Sequence, residues 1–127
     1  MIYGIGVDIV EHARVQKIIQ RFGERFVKRI LSSEEKDIYH KKKNKVQYLA
    51  SRFAAKEALG KALKIGLQFP VSFQNITIRN KDSQSPFFFF GDALNSYLSD
   101  LSLSAAHLSI THEKGTSVAL VVLEIEL

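Results

Sequence analysis

The chain contains no cysteine at any of its 127 positions. Disulfides, zinc–thiolate centres, iron–sulfur clusters and cysteine nucleophiles are therefore excluded. It also lacks any apolar run near the roughly 20 residues that a membrane span requires. The longest aromatic block, Phe87 to Phe90, has the length of a strand. The opening MIYGIGVDIVE carries no basic leader, and Asp8 interrupts its apolar stretch, so it does not read as a signal peptide. By absence of any address, the expected compartment is the cytoplasm. There is no GxGxxG and no P-loop pattern, which removes the usual dinucleotide and nucleoside-triphosphate cradles.

What is present is ordinary in amount and uneven in placement. At 46% hydrophobic and 24% charged residues, the composition suits one soluble globular domain spanning 1–127. The net charge of +5 hides an asymmetry: residues 1–64 hold 15 Lys/Arg against 7 Asp/Glu, whereas residues 65–127 hold 3 against 6. A basic half joined to an acidic half implies a surface that attracts an anionic partner.

Residues 2–10 alternate with period two, as in a strand with one packed face. Ile5, Val7 and Ile9 lie on one side and Gly4, Gly6 and Asp8 on the other. Two glycines beside a carboxylate leave room for another backbone or a ligand to come close. From Glu11 the spacing of Val15, Ile18, Ile19 and Phe22 is helical until Gly23, and a short second helix carries Phe26, Val27 and Ile30. Ser32 and Ser33 ahead of Glu34 and Glu35 read as an N-cap with acids in the first turn. After a basic turn at Lys41, Lys42, Lys43 and Lys45, residues 46–64 give the strongest helix pattern. Strands are expected over Val71–Ile78 and Phe87–Phe90, separated by a polar turn from Asn80 to Ser85. A short helix follows from Asp92 to Leu101, then a hairpin, Ala106–Glu113 and Thr116–Ile125, turning at Lys114–Gly115. This order predicts an α+β fold, a largely antiparallel sheet packed against the long helix.

On a helical projection Val46, Leu49, Ala50, Phe53 and Gly60 form an apolar stripe, and Glu57 falls inside it. A carboxylate aimed into a core is costly unless a cation or hydrogen bonds meet it. Lys61, one turn on, offers an i,i+4 ion pair, and that structural reading competes with a functional one. Asp8 is a second acid among small apolar residues. Two carboxylates with a lysine nearby suit Mg²⁺, which takes one or two protein carboxylates and completes its shell with water and phosphate oxygens. His107, Ser109 and Thr111 line one face of the hairpin strand and His112 the other; a strand histidine by itself more commonly serves structure.

Three segments, GIGVDIVEHAR (Gly4 to Arg14), SRFAAKEALGKAL (Ser51 to Leu63) and HLSITHE (His107 to Glu113), resemble the signature blocks of the holo-acyl-carrier-protein synthases, the short phosphopantetheinyl transferases. Their order and spacing match, and the likeness covers nearly the whole chain. The resemblance implies a Mg²⁺-dependent transfer of phosphopantetheine from coenzyme A to a serine of an acidic acyl carrier protein. Asp8 and Glu57 would hold the ion, and Lys61 would meet the diphosphate and the departing 3′,5′-ADP. Either Glu57 or a water molecule on the metal would take the serine proton. Lys45, Arg52, His107 and Ser109 are similar to family positions near the nucleotide and its 3′-phosphate. Family members of this length are homotrimers with active sites between subunits, so His107 need not belong to the same chain as Asp8 and Glu57.

Arg14, Arg21, Arg25 and Arg29 follow the first strand at roughly helical intervals. They read either as a solvated basic face or, beside the resemblance, as a docking surface for the carrier. The family commonly follows the lysine helix with a G-T-G-type turn, here Lys64–Ile65–Gly66, where Lys64 offers a phosphate contact instead. Asn44 stands where a basic residue is usual. No membrane partner is expected. A nucleic-acid-binding module is the main rival, but no aromatic residues interleave with the lysines. A catalytically silent scaffold is the other.

Overall fold

In the computed structural model, which describes residues 1–82 and 85–127, the chain begins with β1 (Ile2–Glu11) and runs directly into α1 (His12–Phe22). Gly23, at a positive φ of 60°, separates α1 from α2 (Glu24–Ile30). Next comes α3 (Ser33–Lys41), whose N-cap Ser32 and Glu35 form the reciprocal capping box that the serine–acid pattern foretells. The long helix α4 spans Lys45–Ala62 and is capped by the Asn44 side chain on the Gln47 N–H. A short 3₁₀ turn, Phe73–Asn75, precedes β2 (Ile76–Lys81) and β3 (Ser85–Phe90). The chain closes with α5 (Asp92–Asp100), β4 (Leu103–Glu113) and β5 (Thr116–Ile125).

The strands form two antiparallel sheets, β1-β5-β4 and the hairpin β2-β3. The α+β expectation therefore holds, with two boundaries revised. The strand expected from Val71 begins only at Ile76, because the segment before it coils into the 3₁₀ turn. The expected polar turn is shorter, since Asn80 and Lys81 belong to β2 and Ser85 to β3; its centre, 83–84, lies outside the described residues. Lys114 and Gly115, both at positive φ, make the tight β4–β5 turn whose twist suits a hairpin.

Helix α4 packs on the three-stranded sheet, and the packed face of β1 is the one that bears glycine. A Cβ at Gly6 would overlap the carbonyl oxygen of Ala58, and one at Gly4 that of Ala62. Backbone thus lies directly on backbone, the close approach that paired glycines permit. The aliphatic row points the other way: Ile5, Val7 and Ile9 are 58%, 50% and 66% exposed, and Leu120 joins them at 42%. Alternation alone marks two faces of a strand but not which one a helix covers.

The apolar stripe of α4 is only part of its inside: Leu49, Ala50 and Gly60 are buried, but much of the rest of the helix is too. Ala54, Ala55, Ala58, Leu59 and Ala62 are fully buried, and so is Lys56. Small residues let neighbours close around most of the helix, so no single stripe defines its interior. Lys56 donates to Glu35 Oε1 at 2.6 Å, to the Ile30 carbonyl at 2.8 Å and to the Phe73 carbonyl at 3.0 Å. Glu35 in turn accepts from the backbone of Ser32 and Ile78. Every ammonium proton and both carboxylate oxygens find partners, which is the condition for burying such a pair. Burial pushes the Lys56 ammonium below the usual lysine range, and Glu35 opposes that shift. The pair ties α3, α4 and β2 together.

Gly6→Ala is expected to cost about 3 kcal/mol, because the obstructing atom is backbone and cannot rotate away. A denaturation midpoint equal to that of wild type would show that the helix–strand contact is looser than described.

Candidate active site

Asp8 sits on the α4-facing side of β1, two residues beyond Gly6, and Glu57 lies one residue before Ala58 on the helix it meets. The glycine contact therefore sets their approach. Both carboxylates line one cavity of about 300 Å³, together with Glu11, Arg14, Ile18, Phe26 and Phe53. Lys61, one helical turn past Glu57, does not pair with it. Its ammonium donates to the Asp8 carboxylate at 3.0 Å and to the Val7 carbonyl at 2.9 Å. The i,i+4 ion pair considered from spacing is replaced by a bond between helix and strand.

Glu57 is half-buried and lines a cavity instead of entering the core. Its carboxyl is pushed above the usual range, first by loss of solvent and then by the charge of Asp8, with Lys61 acting in the opposite direction. Two acids held together at some electrostatic cost are a pair whose repulsion a bound cation would relieve. Among the described residues no group of three or more His, Asp or Glu side chains gathers for a metal. A two-carboxylate set with open space beside it is nonetheless the donor number that Mg²⁺ takes when phosphate oxygens and water complete its shell.

A second cavity, also about 300 Å³, is cationic. Arg52, Lys42, Lys43, Asn44, Ser51 and Tyr48 line it, with His112 from the end of β4. The Arg52 guanidinium lies 4.3 Å from the centre of the Tyr48 ring and donates to Ser51 and Asn80. Arg52 Nε and the Tyr48 hydroxyl are shut off from solvent, and the hydroxyl lies under the influence of the Arg52 guanidinium. A cavity lined by Lys42, Lys43 and Arg52 with the polar groups of Asn44 and Ser51 is shaped for an anion with several acceptor oxygens. Burial pushes the Tyr48 hydroxyl up to about 12, so it keeps its proton.

The chain is matched over residues 4–121 by the model of the 4′-phosphopantetheinyl transferase superfamily. It belongs to that superfamily. It is 48% identical over 126 residues to a holo-[acyl-carrier-protein] synthase of Vesicomyosocius okutanii, covering 99% of each chain. Its fold is similar to the crystal structure of the holo-[acyl-carrier-protein] synthase of Neisseria meningitidis, with a TM-score of 0.95 and 44% identity over 98% of this chain and 99% of that one. A Bacillus anthracis holo-(acyl-carrier-protein) synthase in complex with CoA (3′,5′-ADP) gives a TM-score of 0.83 at 37% identity, with 99% of both chains covered.

For this phosphopantetheinyl transferase superfamily member, the residues singled out in the sequence fall into separate groups. Asp8, Glu57 and Arg14 line the first cavity, and Lys61 bonds to Asp8. Arg52 lines the second, whereas Lys45 turns back to the Lys42 carbonyl at 2.8 Å. Lys64, in the left-handed region at φ 70°, lays its ammonium 4.3 Å from the centre of the Tyr3 ring. His107 and Ser109 pair with Val122 and Leu120 on the sheet face away from α4, so one chain does not bring them to Asp8 and Glu57. His107 lies 3.6 Å from Glu124 there. Arg25 and Arg29 line a third cavity with Ile18, Phe22 and Phe26, and Arg21 lies over the Phe22 ring.

Sequence reasoning missed Lys42, Lys43, Tyr48 and His112 as lining residues of the cationic cavity. The basic run at 41–45 was the available signal, although it read equally well as a solvated turn.

Ionisation of Glu57 costs the folded state more than the unfolded chain, since its folded pKa is the higher. That penalty is absent below the unfolded value, grows between the unfolded and folded values, and is complete above the folded one. Glu57→Gln is therefore expected to raise the melting temperature of the metal-free protein at neutral pH, with the gain vanishing near pH 4. A lower melting temperature at pH 7 would mean that Glu57 is held by favourable contacts instead.

Proposed function

We propose that this chain transfers the 4′-phosphopantetheine group of coenzyme A to a serine hydroxyl of apo-acyl carrier protein, releasing 3′,5′-ADP, for fatty acid biosynthesis. The observation that carries the reading is the meeting of Asp8 and Glu57 on one cavity with Lys61 bonded to Asp8, all within the stretch that the superfamily model matches. In the reaction the serine oxygen bonds to the β-phosphorus, the bond from that phosphorus to the oxygen of 3′,5′-ADP breaks, and the serine proton passes to Glu57 or to water. Lys61 places one positive charge where the diphosphate lies, and its bond to Asp8 fixes the ammonium before substrate arrives. Mg²⁺ held by Asp8 and Glu57 would neutralise charge on the diphosphate as the leaving group departs.

Coenzyme A carries a second anionic group, the ribose 3′-phosphate, and the second cavity supplies cations for it. Arg52 and Glu57 lie five residues apart on α4, about 7.5 Å of helical rise, so one rigid helix spaces the two anion sites. Lys45 and Lys64, at the start of α4 and just past its end, add to the positive field along the helix.

The carrier would dock along α1 and α2. Arg14 lines the carboxylate cavity, Arg25 and Arg29 line the adjoining apolar groove, and Ile18 and Phe26 belong to both. An acidic helix lying there would bring its serine towards Asp8 and Glu57. Self-association belongs to the same proposal. The exposed row of Ile5, Val7, Ile9 and Leu120 is an apolar face next to His107 and Ser109, and a homotrimer built on it would deliver those two residues to a neighbour's nucleotide. No helix among the described residues is long and apolar enough to cross a membrane, and the cytoplasm is the compartment this reading assumes.

Incubation with coenzyme A, Mg²⁺ and apo-carrier is expected to add one phosphopantetheine to the carrier mass and to stop with EDTA. A carrier that stays unmodified would refute the assignment. In that assay Asp8→Ala and Glu57→Ala should each lower turnover by about a hundredfold or more. Replacing Arg14 and Arg21 by glutamate should raise the KM for the carrier, not for coenzyme A; equal effects on both would remove the docking role. Sedimentation equilibrium should give the mass of three chains, and a monomer would exclude the shared site.

A further inference from the structure

Ser117 on β5 is completely buried, yet its hydroxyl meets two imidazoles. Its Oγ lies 2.7 Å from His12 Nε2 and 2.9 Å from His112 Nδ1. The three residues come from the first position of α1, the second residue of β5 and the end of β4. A hydroxyl has one proton to give and can accept two. At least one ring nitrogen must therefore donate to Ser117, and the orientations of both rings are linked through it.

With Nδ1 engaged, His112 retains only Nε2 for a ligand in the cationic cavity that it lines. The groups facing it are Arg52 from α4, His12 from α1, and Lys42 and Lys43 from the turn between α3 and α4. Burial first, then His12 and Arg52, hold His112 below the usual imidazole value. A neutral imidazole offers a phosphate either an N–H or a repelling lone pair, depending on how it is turned. Phosphate oxygens only accept, so the ring must be turned correctly.

We propose that His12 and Ser117 are positioning residues that hold His112 with its Nε2–H directed to the 3′-phosphate of coenzyme A beside Arg52. The inference rests on the assignment of that phosphate to the cationic cavity. With His112 neutral, His12 Nε2–H donates to Ser117 and the Ser117 hydroxyl donates to His112 Nδ1. When the phosphate draws a proton onto His112, its Nδ1–H donates to Ser117 alongside His12 Nε2–H, the two bonds that a hydroxyl oxygen can accept. The relay serves both protonation states and keeps Nε2–H available in each. It also joins the phosphate cavity to the start of the helix that carries Arg14.

The test compares coenzyme A with 3′-dephospho-coenzyme A for the wild type, Ser117→Ala and His12→Phe, alongside ¹⁵N NMR of the wild-type histidines. Ser117→Ala is expected to raise the KM for coenzyme A about fivefold, the worth of one neutral hydrogen bond, with kcat within about twofold. The KM for the dephospho form should move much less, and His12→Phe should produce a smaller change in the same direction. The neutral His112 ring should carry its proton on Nε2. Equal KM changes for both donors, an unaltered KM for coenzyme A, or a neutral ring protonated on Nδ1 would overturn the proposal. If the variants do not fold, the wild-type NMR result decides. If wild type treats the two donors alike, the phosphate assignment itself falls; if it discriminates and the variants still do, only the positioning role is lost.

Discussion

The contact between the backbone of β1 and the backbone of α4 is the constraint from which the site follows. Without side chains at Gly4 and Gly6, the strand approaches the helix closely enough for Asp8 to share a cavity with Glu57 and to receive Lys61. A bulkier residue at either glycine would push the strand away and separate the acids. Precision in the site thus comes from an absence of atoms two and four residues upstream.

That contact needs a helix that does not roll or slide, and the buried Lys56–Glu35 pair supplies the restraint. Lys56 is the immediate neighbour of Glu57 in sequence but points into the interior, where it holds α4 to α3 and to the approach of β2. An apolar pair would fill the same space without fixing a register, because dispersion has little directional preference. Five hydrogen bonds through two charged groups do have one. Two adjacent charged residues thus divide the work: one secures the helix and the other faces the cavity.

Electrostatics then orders the surface from outside inwards. The exposed arginines of α1 and α2 offer long-range attraction to an acidic partner, and the apolar groove between them offers shape. Closer in, Arg14 stands at the rim of the cavity and Lys61 within reach of Asp8. Arg52 and Tyr48 line a separate cavity along the same helix. Charge that is screened at the surface acts more strongly where solvent is excluded, so the few enclosed groups matter more than the many exposed ones.

Much of this was legible in the chain alone. Local rules gave the capping box at Ser32, the helix ended at Gly23, the long helix and the Lys114–Gly115 hairpin, because each depends on residues near in sequence, and they marked Asp8 and Glu57 one by one as acids among apolar neighbours. Tertiary structure alone decided which face of β1 is covered, since alternation is symmetric until a helix chooses a side. It also decided that Lys61 serves Asp8 and not Glu57, that Lys56 is the buried charge, and that His112, not His107, lies on the face that α4 covers. Ser117 with its two histidines spans 105 residues of chain, and only folding brings partners together over that distance.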